Sequence, residues 1–250
     1  MTDGRFTLAN LFVAVRAFGG LIRNPHDLRN FEKLEQALLA LASARERARI
    51  AACYRGSPEL RPMLESRFLS TDHDIAALLQ CPAGTFGHAY AHFITDNNLS
   101  VDYYPRAEVS DDLMYFRARM LQMHDLWHVL LGAAPDVPGE LEVIGFSIGQ
   151  LERTLRRERL AVAFFYMMAV AYLTHTAIVR PRAFLTRARR FLQGRKTGLE
   201  LRPFFAVQWE RLWRVPLEMV RATCVVKASL PGRGLAVRPA SAALPAATLP

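Results

Sequence analysis

Residues 123–146 read MHDLWHVLLGAAPDVPGELEVIGF, the end of one helix, a tight reversal and the start of the next. Upstream, Leu113, Phe116, Met120, Met123, Trp127 and Leu131 recur at helical spacing, which predicts a helix over 111–131 with Ser110 as its N-cap. Gly132 is placed to stop that helix, and the Gly- and Pro-rich run to Pro138 turns the chain back. Asp136 is placed to cap the helix that follows. His124 and His128 are four residues apart, so their side chains share one helix face. His124 projects into the apolar stripe and His128 lies on its edge.

Two imidazoles aimed at a core need partners, because an unsatisfied buried polar group costs on the order of 1–3 kcal/mol. A divalent ion is one solution, since neutral imidazole and carboxylate together suit zinc and other first-row metals. An antiparallel return after Gly132 would bring Glu140 back beside His128. The pattern is therefore His-Asp-x-x-His, eleven residues, then Glu. Spacing alone is a moderate signal, since a bare His-x-x-x-His pair more often makes ordinary hydrogen bonds. His88 and His92 form a second such pair, but there Phe86, Tyr90 and Phe93 make the apolar face and both histidines point away from it. That pair reads as a solvated face or a secondary polar contact.

Outward from this segment the chain reads as helix after helix. Residues 5–23 place Phe6, Leu11, Val15, Phe18 and Ile22 on one stripe, and Asn24-Pro25 ends it. From His26 to about Tyr54, Phe31, Leu34, Leu38 and Leu41 predict a second helix. Ser57-Pro58 and Thr71 are expected to cap two shorter ones. GTFGHAYAHFITDNN predicts another, closing near Asn97-Asn98. The one strand-like stretch, SVDYYPR at 100–106, is cut by Pro105. The expectation is an all-α fold: a single multi-helix domain over 1–228 and a Pro-, Ala- and Gly-rich disordered tail over 229–250.

Composition narrows the setting. With 250 residues, 51% hydrophobic and 22% charged, the chain can bury one substantial core. Cys53, Cys81 and Cys224 fall in no paired spacing, which implies neither a disulfide framework nor a zinc ribbon and fits a reducing compartment. MTDGRFTLAN lacks a secretory-signal pattern. A net charge of +9 admits nucleic acid, anionic lipid or acidic metabolites as partners, against the plainer reading of a solvated arginine-rich surface. No recognition-helix motif stands out, so no nucleic-acid partner is expected.

The stretch LAVAFFYMMAVAYLTHTAIV at 160–179 has no charged side chain and is long enough to cross a bilayer. Arginines flank it on both sides, at 153–159 and 180–190, and it contains Thr174, His175 and Thr176. It is therefore expected to be a buried central helix or the wall of a long apolar pocket. The basic flanks are placed to rest on anionic head groups.

HDLWH with Glu140 twelve positions after His128 resembles the signature of the ubiquinone (coenzyme Q) biosynthesis protein Coq-four family. CPAGTFGHAYAHFITDNNL at 81–99 is similar to that family's helix upstream of the metal site, and WERLWRVPLEMVRA at 209–222 to its closing helix. LLGAAPDVPGE departs from the family's usual pattern before the Glu, and the Arg-rich segments 153–159 and 180–196 have no counterpart in it. The resemblance implies a divalent metal, zinc first, at His124, Asp125, His128 and Glu140. It implies a polyprenylated 4-hydroxybenzoate-type intermediate as ligand, and removal of its ring carboxylate, with or without oxidation at that carbon. Asp125 could ligate the metal, orient His128 or shuttle a proton.

Other quinone-biosynthesis enzymes are implied as partners, with a homo-oligomer also open, and a cytoplasmic place, peripheral on the inner face of the membrane. The alternative is a non-catalytic lipid-binding scaffold that organises those enzymes. A zincin-like hydrolase fits less well, because Asp125 stands where that class needs Glu; an HD-type phosphohydrolase needs further ligands.

Overall fold

The computed structural model describes residues 7–224, apart from 71–72, 102–108, 110, 156–159 and 204. The expected tail and the strand-like stretch thus lie outside the described residues, entirely and for the most part respectively. Eleven α-helices carry the described fold, with no strand among the described residues: α1 (Leu8–Arg23), α2 (Leu28–Leu41), α3 (Ala44–Gly56), α4 (Arg61–Ser66), α5 (Ile75–Leu79), α6 (Phe86–Asp96), α7 (Asp112–Leu131), α8 (Val137–Leu155), α9 (Leu160–Val179), α10 (Phe184–Glu200) and α11 (Leu217–Cys224). The three cysteines are free thiols.

Several boundaries differ from those expected, each for a local reason. The single helix anticipated from His26 to Tyr54 is two, because Ser43 and Glu46 form a reciprocal capping box that starts α3 afresh. Asp111, not Ser110, caps α7 by accepting from the Met114 amide. Asp74, not Thr71, caps α5, and α4 starts at Arg61 after a turn through Ser57 and Pro58. On α1 the buried side chains are Ala14, Ala17 and Leu21, whereas Leu11 and Val15 are exposed. Small residues let α1 lie close to α2 and α9; of the expected stripe Phe18 and Ile22 still pack half-buried against the core, Leu11 and Val15 face outward, and Phe6 lies outside the described residues.

α8 and α10 make the tightest pairing. Gly145 and Gly149 on α8 oppose Gly194 and Gly198 on α10. A Cβ at Gly145 would lie 2.2 Å from the Phe191 carbonyl oxygen, and one at Gly194 would lie 2.0 Å from that of Glu142. Only hydrogen fits there, so two glycine pairs, each spaced four apart, bring the two backbones together. Gln150 adds a buried hydrogen bond from Nε2 to the Gly198 carbonyl at 2.8 Å. This pairing matters for function because α8 carries Glu140.

α9 is buried along one side, at Val162, Met168, Ala169, Ala171, Tyr172 and Thr176. Elsewhere on it Val170, Ile178 and Val179 are exposed. By length and composition it could cross a membrane, yet its inner side belongs to the core of this fold.

A candidate metal centre at the α7–α8 reversal

α7 closes on Gly132, whose φ of +68° is the left-handed conformation that glycine adopts without strain. The Ala133 amide returns to the His128 carbonyl at 2.9 Å, and Asp136 Oδ1 accepts from the Gly139 amide at 2.9 Å to start α8. This short reversal sets the first turn of α8 beside the last turns of α7. His124 Nε2 and His128 Nε2 lie 3.3 Å apart. Glu140 Oε2 is 3.3 Å from the first and Oε1 is 3.4 Å from the second. Bonds of about 2 Å in a tetrahedral shell place ligand atoms about 3.3 Å apart, close to the separation of the two imidazole nitrogens and to that of each nitrogen from one Glu140 oxygen, so the three side chains could share a zinc-sized ion. Among the described residues this is the one group of three or more His, Cys, Asp or Glu side chains that converges in this way.

Burial within the pair is the reverse of the expectation. His128, anticipated at the stripe's edge, is 1% exposed, while His124 retains 27%. α7 is covered on nearly all sides, so its apolar stripe does not define a single inside face. His128 Nδ1 lies 3.1 Å from the Ala133 carbonyl and donates to it. That bond leaves the Nε2 lone pair for the cluster. Phe93 of α6 stacks flat on the same imidazole, with centroids 5.4 Å apart and planes 24° from parallel.

The electrostatics are those of a tightly coupled acid and base. Burial alone would push the His124 imidazole down, but the charge of Glu140 and its hydrogen bond outweigh that and hold it at about 9. Burial would raise Glu140, but His124 and His128 keep its carboxyl well below the usual range. Asp125 is not one of the converging atoms. Burial raises its carboxyl above the ordinary value, against the pull of His124 and His128.

An apolar chamber of about 440 Å³ opens from the cluster, with His124 and Glu140 in its wall. Phe31 and Leu38 of α2, Met120 of α7, and Phe164 and Met168 of α9 line it. α9 thus forms part of the wall of an apolar pocket. Charged groups also line the chamber: Arg117 and Glu35, which pair at 2.6 Å, and Glu46 and Arg47.

A second polar network went unseen in the sequence. Arg119, 1% exposed, donates to Glu210 Oε1 at 2.5 Å and Oε2 at 3.0 Å. Burial opposes ionisation of Glu210, but the His73 imidazole 3.9 Å away and the hydrogen bonds and charge of Arg119 hold it down at about 2. His73 Nδ1 lies 2.9 Å from the Tyr90 hydroxyl, and Tyr90 stacks on Trp213. Burial, with the charge of Asp125 behind it, raises the Tyr90 phenol, which places Asp125 beside this network. The signal available was the charge of Arg119 set among Phe116, Met120 and Met123 of the apolar stripe; its partner is 91 residues away. His92 is exposed and pairs with Asp96 at 3.4 Å, as a solvated face should.

The three sequence segments that carry the resemblance meet here. The Phe86 and Gly87 amides at the start of α6 donate to the Val215 and Trp213 carbonyls at 2.9 and 2.8 Å. Arg221 of α11 donates to the Leu130 and Val129 carbonyls, both at 3.0 Å, and so satisfies the C-terminus of α7.

The family model described as coenzyme Q (ubiquinone) biosynthesis protein Coq4 matches residues 30–229. A mitochondrial ubiquinone biosynthesis protein COQ4 homolog of Culex quinquefasciatus is 28% identical over 163 residues, 64% of this chain and 53% of that one. A mitochondrial COQ4 homolog of Bos taurus is 37% identical over 79 residues, 31% of this chain and 30% of that one. The chain thus spans about half or less of the length of these relatives. A Nostoc punctiforme protein described in connection with ubiquinone biosynthesis has a crystal structure that superposes with a TM-score of 0.68, covering 86% of this chain and 98% of that one. At 21% identity that likeness speaks to the fold alone.

Proposed function

Because the chain belongs to the Coq4 family of coenzyme Q (ubiquinone) biosynthesis proteins, we propose that it binds a divalent metal, zinc first, and removes the ring carboxylate of a polyprenylated 4-hydroxybenzoate-type intermediate. One observation carries this reading: His124, His128 and Glu140 each offer a ligand atom within 4.8 Å of the others, at the end of an apolar chamber. His124, His128 and Glu140 would hold the ion. A bound ion would supply Lewis-acid stabilisation to a carboxylate or phenolate oxygen.

The rest falls to the protein's own side chains. Phe31, Leu38, Phe164 and Met168 offer an apolar wall to a prenyl tail and exclude water from the ring. Loss of carbon dioxide breaks the bond between ring carbon and carboxylate, leaves the electron pair on the ring, and requires a proton at that carbon. Asp125, whose burial lets its carboxyl hold a proton more readily, is suited to that transfer or to orienting the ligands from behind. Oxidation at the same carbon would need an electron acceptor in addition.

Contact with the anionic inner face of a membrane belongs to the same proposal. Leu8, Phe12 and Val15 of α1 are 79%, 66% and 63% exposed, and arginines lie close in sequence. Other quinone-biosynthesis enzymes are the partners this role implies.

Incubating metal-loaded protein with a prenylated 4-hydroxybenzoate and measuring released carbon dioxide tests the reaction. Release that disappears in Glu140→Gln supports it. Ring binding without release would instead favour the non-catalytic lipid-binding scaffold.

A further inference from the structure

A second cavity, of about 490 Å³, lies where the α1–α2 connection, the start of α8 and the end of α9 meet. His26, Asp136, His175, Arg180 and Arg187 line it, and none of the metal-cluster side chains does. We propose that this cleft is a binding site for a phosphate-class oxyanion, a phosphate monoester or a diphosphate. The inference stands independently of the metal chemistry above.

Charge is the first reason. Two guanidinium groups face the cleft against one carboxylate, and that carboxylate, Asp136, is occupied in capping α8 through the Gly139 amide at 2.9 Å. Arg117 with Glu35 at 2.6 Å and Arg195 with Glu152 at 2.7 Å show the contrasting arrangement, an arginine matched by a carboxylate. Among the described residues, neither Arg180 nor Arg187 has a carboxylate partner within ion-pair distance.

The second reason is that Arg187 and His175 are held in place beforehand. Arg187 Nη1 donates to Thr176 Oγ1 at 3.0 Å, and Thr176 is fully buried, its own hydroxyl donating to the Tyr172 carbonyl at 2.8 Å. His175 Nδ1 lies 2.9 Å from the Ile22 carbonyl, which fixes that ring as well. Orienting a guanidinium before the ligand arrives lowers the entropy lost on binding, and its planar donor fork matches a tetrahedral oxyanion. The site also shares a wall with the metal chamber. His26 meets Tyr172 edge to face at 5.8 Å, and Tyr172 lines the chamber.

Phosphate chemistry can come from a soluble ester or from a lipid head group, and exposed Ile178 and Val179 stand at the rim. Calorimetric titration of the full chain with inorganic pyrophosphate tests the first source. Flotation with phosphatidylcholine vesicles, with and without phosphatidate, tests the second. The matched variant is Arg180→Ala with Arg187→Gln, since glutamine retains a donor toward Thr176. Glu140→Gln serves as the control for pyrophosphate held at the metal cluster. Saturable pyrophosphate binding that weakens about tenfold or more in the double variant supports a soluble ester. Phosphatidate-dependent flotation that the double variant loses supports a head group at the same site. Absence of both in the wild type, or binding that the double variant retains, overturns the proposal.

Discussion

Phe93 lies flat against His128, its ring centroid 5.4 Å from that of the imidazole. The contact joins α6, from the first of the segments that resemble the family, to the most deeply buried of the converging donors. A ring locked from one side by Phe93 and through Nδ1 by the Ala133 carbonyl has little freedom to turn away. Phe93→Ala should therefore loosen the ligand without removing it. We expect metal affinity to fall on the order of tenfold, the lower end for loss of an outer contact. Competition against a chromophoric chelator measures this; an unchanged affinity would mean that the stacking does not position His128.

Protons and metal should compete for His124. In the metal-free protein its pKa is held at about 9, chiefly because Glu140 outweighs the effect of burial. Metal needs the free lone pair, so binding at neutral pH must expel a proton. Apparent affinity is expected to rise about tenfold per pH unit from pH 7 toward 9 and then level off. Chelator competition at several pH values reads the slope, and a flat profile would contradict the assignment of His124 as a ligand.

Acid stability has a different source. Glu210 is held at about 2, below its ordinary value of 4.5, by the nearby His73 imidazole and by the hydrogen bonds and charge of Arg119, which together outweigh burial. A depressed carboxylate stabilises the fold above its unfolded pKa and loses that contribution as pH falls through the folded one. The loss should therefore set in below about pH 4.5 and be complete near pH 2. Glu210→Gln should remove that pH dependence and cost about 3–5 kcal/mol at pH 7, since Arg119 would be left buried without its partner. Urea unfolding across this range measures both effects.

The glycine pairs between α8 and α10 give a contrast within one residue type. Gly145→Ala or Gly194→Ala would drive a methyl group into a backbone carbonyl, because the nearest oxygens stand at 2.2 and 2.0 Å. A loss of about 3 kcal/mol or more is expected, together with weaker metal binding as α8 shifts. Gly19→Ala meets nothing within 4 Å on α1 and should instead stabilise by up to about 1 kcal/mol. Thermal unfolding of the three variants checks the ordering.

What could be read from the sequence was what short-range chemistry encodes. The α7 stop at Gly132, the Asp136 cap and the return of Glu140 depend on residues fewer than twenty apart, and their spacing alone foretold them. The break between α2 and α3 was equally local, written in Ser43 and Glu46, but apolar periodicity running across it suggested one continuous helix. On α1 the larger hydrophobic residues suggested the inner face, whereas Ala14 and Ala17 occupy it because close helix packing favours small side chains. Arg119 with Glu210, the Phe93 contact and the cleft at Arg187 join residues far apart in the chain, and no periodicity marks such pairs.

Metal analysis of the purified chain beside Glu140→Gln and His128→Ala tests the central claim most directly. One equivalent of a divalent ion per chain is expected in the wild type, with most of it lost in both variants while their circular dichroism remains helical. A wild type that takes up no ion when offered zinc, or variants that retain a full equivalent, would contradict a metal centre at the α7–α8 reversal.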